Sequence, residues 1–113
     1  MNMTRSTPCL VLLLLFATSA MAEEWTLTAS EWSRPRSGER VRAMQPVNEA
    51  INAWHAAGPD AIVLLRHSSG EEGSLWAAEL KDWLVALGVP AEQVEIVPAG
   101  IPDDRLEIEV EAP

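Results

Sequence analysis

Five consecutive apolar residues, Ala61-Ile62-Val63-Leu64-Leu65, lie between Asp60 and Arg66 and constrain the fold more than any other stretch. The run has strand length, and its lack of alternation predicts a central strand covered on both faces. Trp25-Thr26-Leu27-Thr28-Ala29 alternates instead, which predicts an earlier strand with Trp25, Leu27 and Ala29 on one face. Between these two, Val41, Met44, Val47, Ile51 and Trp54 recur at spacings of 3, 3, 4 and 3, the stripe of an amphipathic helix. Pro46 is tolerated in a first turn but not in a helix interior, so the regular helix runs from about Gln45 to the Gly58-Pro59 break. Ser33–Gly38 reads as a loop, and residues 39–44 stay open between an extra turn and an extended approach.

After the apolar strand comes a polar loop, His67–Gly73, and Ser74 is the expected N-cap of a second helix, with Glu71 and Glu72 just ahead of its positive end. Trp76, Leu80, Trp83 and Leu87 give that helix its expected buried stripe, widened by Leu84. Gly88 supplies the stop, Val89 can fold back on the last turn, and Pro90 prevents continuation. Val94–Val97 reads as a third strand. Leu106, Ile108 and Val110 alternate with Arg105, Glu107, Glu109 and Glu111, which predicts a last strand with one buried face and one solvated glutamate face. The order β-α-β-α-β-β predicts an α+β two-layer sandwich, with two helices packed on one face of a small mixed sheet.

Residues 1–22 have the three regions of a secretory signal: Arg5, the apolar run Cys9–Phe16, and Ala20-Met21-Ala22 at a cleavage point. The run is far short of the roughly 20 residues a spanning helix needs. The expected product is residues 23–113, one exported, periplasmic domain with no membrane insertion after cleavage. It keeps all 17 acidic residues and seven of the eight basic ones, a charge of −10. That balance excludes nucleic acid as a partner, because such binding needs a basic surface. Loss of Cys9 with the leader excludes a disulfide scaffold, a thiol nucleophile and Cys-ligated metal.

Candidate chemistry concentrates in Arg66-His67-Ser68-Ser69-Gly70-Glu71, which leaves the carboxyl end of the apolar strand and feeds a helix. Ligands of α/β sheets bind at such loops, although a polar connection without a ligand has the same composition. Arg66-His67 is superficially similar to the Arg-His-Gly of histidine phosphatases, in which His attacks phosphorus and arginines neutralise phosphate. Ser68 stands where glycine is expected, and Lys81 and Arg105 are the only later cations, so a small hydrolase using His67 is the alternative rather than the main reading. His67, Glu71 and Glu72, with or without His55, lack the helical spacing that fixes metal ligands. Adjacent carboxylates in loops (Asp103-Asp104, Glu71-Glu72) ordinarily do no chemistry. Neither a metal nor a cofactor is expected. Trp76 and Trp83 suit a core stripe better than a ligand platform, whereas Trp32, beside Arg34-Pro35-Arg36, suits an exposed interface.

Several short motifs occur in the order found in one family. Pro59-Asp60-Ala61 leads into the apolar strand, Arg66-His67-Ser68-Ser69 ends it, and Gly73-Ser74 follows. Leu84-Val85-Ala86-Leu87-Gly88-Val89-Pro90 closes the second helix, and Arg105–Val110 forms the last strand. Together they resemble a divergent, shortened OmpA-like C-terminal domain, the peptidoglycan-associated fold of bacterial envelopes. The resemblance implies a non-catalytic binding module whose partner is peptidoglycan or an envelope protein, with Arg66, His67, Ser68, Ser69, Gly70, Glu71 and Trp76 as contact residues. Ser69 falls at the family's aspartate position and Trp76 near its arginine position. Hydroxyl and indole do not replace a carboxylate and a guanidinium fork toward a zwitterionic ligand, so the resemblance favours a protein partner.

Overall fold

A computed structural model describes residues 22–34 and 36–113. The segment read as an export signal lies outside them except for its last residue, Ala22. Strand β1 (Ala22–Thr28) leads into two short helices, α1 (Ala29–Trp32) and α2 (Gly38–Ala43), and then into α3 (Gln45–Ala57). Strand β2 (Ile62–His67), helix α4 (Glu71–Ala86), strand β3 (Val94–Pro98) and strand β4 (Arg105–Glu111) complete the α+β arrangement.

The four strands form one mixed sheet in the order β1-β4-β2-β3. β4 runs antiparallel to both β1 and β2, and β3 runs parallel to β2. The register puts Leu27 opposite Leu106, Ile108 between Trp25 and Leu65, and Val63 between Val110 and Val94. These residues therefore share one face, and most of them are buried. Helix α3 packs over β1 and β4, α4 packs over β2 and β3, and α2 bridges the two helices. The result is a two-layer sandwich with both long helices on one side of the sheet.

The helix limits follow local chemistry. α3 starts at Gln45 with Pro46 in its first turn, where the missing N–H has no bond to lose. The open stretch before it is helical: Ser37 caps α2 by accepting from the Arg40 backbone N–H at 3.2 Å. At the end of α4, the Val89 N–H donates to the Leu84 carbonyl and the Gly88 N–H to the Val85 carbonyl. Gly88 has φ 116°, the left-handed stop that its residue type predicts. Gln93 ties the entries of β2 and β3 by donating to the carbonyls of Pro59 and Ala61.

Four expectations are corrected. The β2 run is central but alternates buried and half-exposed residues, because among the described residues no second layer covers Ile62 and Leu64. Ala29 does not extend β1; Thr28 caps α1 there by accepting from the Glu31 N–H. The most buried line of α4 is Gly73, Ala77, Leu80 and Leu84, while Trp76, Trp83 and Leu87 pack partly buried beside it. Trp32 is not at an open interface but buried beneath its neighbours, at 7% exposure.

Candidate functional site

Successive side chains of a strand point to opposite faces, and this divides the expected contact segment between Arg66 and His67. The register places Arg66 opposite Glu107 on the face that carries no helix among the described residues, and puts Glu109 and Glu24 opposite each other there. Arg66 Nη2 lies 3.0 Å from Glu24 Oε2 and Nε lies 3.4 Å from Glu107 Oε1, while Nη1 donates to Glu109. The bond to Glu109 pushes the Arg66 guanidinium above its ordinary pKa. Desolvation opposes this, and the charge of Glu109, the bond to Glu107 and the charge of Glu24 reinforce it. The expected solvated glutamate face is thereby corrected: Glu109 is only 7% exposed. A carboxylate survives burial there because a fork-shaped donor meets it.

His67 turns inward, to 6% exposure, and its Nδ1 lies 2.6 Å from the Ser68 carbonyl oxygen. A carbonyl only accepts, so the ring presents Nδ1–H at that contact. The His67 carbonyl in turn accepts from the Ala99 N–H at 2.9 Å. Ser68 is also buried, whereas Ser69, Gly70, Glu71 and Glu72 are exposed. Helix α4 begins four residues earlier than its serine suggested: Gly70 rather than Ser74 is the N-cap, and Glu71 and Glu72 occupy the first turn. The early start places Gly73 inside the helix against the Ser68 turn. A Cβ at Gly73 would collide with Ser68 Oγ and come within 2.8 Å of the Ser68 carbonyl oxygen. Glycine at 73 is thus a close-approach residue, not loop punctuation.

Trp76 belongs to a different contact. Its ring stacks on that of Trp32, with centroids 6.2 Å apart and planes 26° apart. Arg36 Cζ lies 4.4 Å from the Trp32 ring centroid. Its Nε and Nη2 donate to Glu79 Oε2 at 3.1 and 2.9 Å, and Nη1 donates to the Trp32 carbonyl. These contacts clasp the α1–α2 excursion onto α4 and make Trp76 the wall of a joint. Its Nε1–H is buried without a partner among the described residues.

The structure therefore brings Ser68 and Gly73 together, sends Arg66 and His67 to opposite faces, and places Trp76 with Trp32. Sequence reading missed the partners of Arg66. The available signal was a lone arginine ending an apolar strand in a chain whose last strand carries a glutamate at every second position. Among the described residues, no three His, Cys, Asp or Glu side chains are placed to hold a metal ion, and no helix is long and apolar enough to cross a membrane. No protein-family model matches the chain, and comparison with curated proteins finds no significant relative.

Proposed function

We propose that the chain is an exported, non-catalytic recognition module of the cell envelope, a divergent OmpA-like domain whose partner is a protein rather than peptidoglycan. The observation that carries this reading is the internal engagement of its reactive side chains. The His67 ring is buried against the Ser68 carbonyl, and the Arg66 donors are shared among three carboxylates. A nucleophile and a phosphate clamp must face a substrate, and these two residues face the protein. The exposed turn Ser69–Glu72 is the contact segment in this reading. It presents carboxylates but no cation, which suits a partner surface bearing lysine or arginine.

Sedimentation with purified peptidoglycan sacculi, together with a general phosphatase screen, tests the proposal. The expected result is no retention that diaminopimelate competes away, and no turnover. Competed retention would restore peptidoglycan as the ligand. Turnover that disappears in His67→Ala would replace the binding module with the hydrolase.

A further inference from the structure

Between α3, the end of α2 and the last turn of α4 lies a recess of about 350 Å³, within the size range of small-ligand sites. Arg42, Asn48, Asn52 and His55 supply its polar lining, and half-buried Ile51 and Leu87 its apolar part. Asn48, Asn52 and His55 stand at i, i+4 and i+7 of α3 and so share one side of the helix. Asn52 Nδ2 donates to Asn48 Oδ1 at 3.3 Å, which leaves the Asn48 amide N–H groups and the Asn52 carbonyl free to face a ligand. The His55 ring is set against Trp54, with centroids 4.8 Å apart.

The charge of the recess sets it apart from the rest of the surface. The chain has 17 acidic residues, yet none lines this recess. Its one full charge is Arg42, which, like Arg34, Arg40 and Lys81 and unlike Arg36, Arg66 and Arg105, forms no ion pair among the described residues.

We infer that this recess binds a small monocarboxylate carrying a nearby amide or hydroxyl, of the size of an N-acylated amino acid or a sugar acid. The guanidinium takes the carboxylate as a fork. The Asn48–Asn52 pair offers one donor and one acceptor to the amide or hydroxyl, and Ile51 and Leu87 cover the apolar part. A single negative charge suits the site, because Arg42 is its one full charge and the net negative charge of the chain disfavours a dianion such as phosphate. The recess shares no residue with the Ser69–Glu72 turn or with His67, so the inference stands or falls separately from the proposed function.

The test follows the side-chain amide signals of Asn48 and Asn52 by NMR while the purified protein is titrated with N-acetylalanine and with glucuronate. N-acetylalanine amide and glucose serve as probes without the carboxylate. Saturable shifts with either acid are expected, with affinity reduced by about tenfold or more in Arg42→Met. Response to N-acetylalanine alone assigns a peptide end as the source of the ligand chemistry, response to glucuronate alone a sugar acid. The inference is overturned by an absence of saturable shifts, by equal shifts with the neutral probes, or by undiminished affinity in an Arg42→Met variant whose backbone spectrum is native. Competed sacculus retention together with a silent recess removes this inference and restores peptidoglycan as the ligand. Turnover lost in His67→Ala, alongside saturable binding here, removes the recognition reading and leaves the recess standing.

Discussion

Arg66 is the residue on which most of the helix-free face depends. Three carboxylates surround it, and Glu109 is nearly withdrawn from water. Arg66→Met strands that carboxylate without its donor, and unfolding by urea is expected to show a loss of about 1–3 kcal/mol. The double variant Arg66→Met/Glu109→Leu is expected to recover much of the loss, since removing both charges leaves nothing buried and unpaired. The pH dependence has a definite sign. A cation whose folded pKa is raised gives stability that is present below its unfolded value and lost only as pH rises through the folded one. For a guanidinium already above its ordinary value that window lies at extreme alkaline pH. The gap between wild type and Arg66→Met is therefore expected to stay flat from about pH 7 to about pH 10. A gap that narrows across that range would show that Arg66 does not act through its charge.

Two neighbouring glycines separate the element from its cap. Gly70 opens α4 with ordinary extended backbone and open space around its Cβ position. Gly73 meets the Ser68 turn at a distance that excludes any side chain. Gly73→Ala is expected to destabilise by about 1–3 kcal/mol through overpacking, and Gly70→Ala, a change at the N-cap with open space around it, by about 1 kcal/mol or less. Adding Ser68→Gly to Gly73→Ala should not restore the loss, because the Ser68 carbonyl and N–H also stand in the way. Thermal denaturation of the four proteins gives the comparison, and a silent Gly73→Ala would mean that the turn and helix are not held together as described. The stop of α4 was legible in Gly88-Val89-Pro90 because a helix end is decided by residues within one turn of it. The start was not, because the contact that extends α4 back to Glu71 comes from the preceding strand's exit and not from the capping preference of Ser74.

At the scale of the whole fold the described residues cover one face of the sheet and leave the other bare, and the apolar run of β2 conceals this. Leu65 is fully buried under the helices, while Leu64 sits half-exposed between Glu109 and Glu95. Leu65→Ala is expected to cost about 2–5 kcal/mol, and Leu64→Ala no more than about 1.5 kcal/mol. Equal losses in chemical denaturation would require a second layer over the bare face. The sequence by itself determined the kind and order of the main elements, the central place of β2, the proline-marked start of α3 and the glycine stop of α4. Each of these follows from residue type and spacing within a few positions, where steric and hydrogen-bonding preferences act directly. Tertiary structure alone decided which sheet face stays bare, which carboxylates hold Arg66, why residue 73 is glycine and how Trp76 meets Trp32. Those outcomes depend on which strands become neighbours and in what register. Arg66 and Glu109 lie 43 positions apart, and no local preference encodes a contact over that separation.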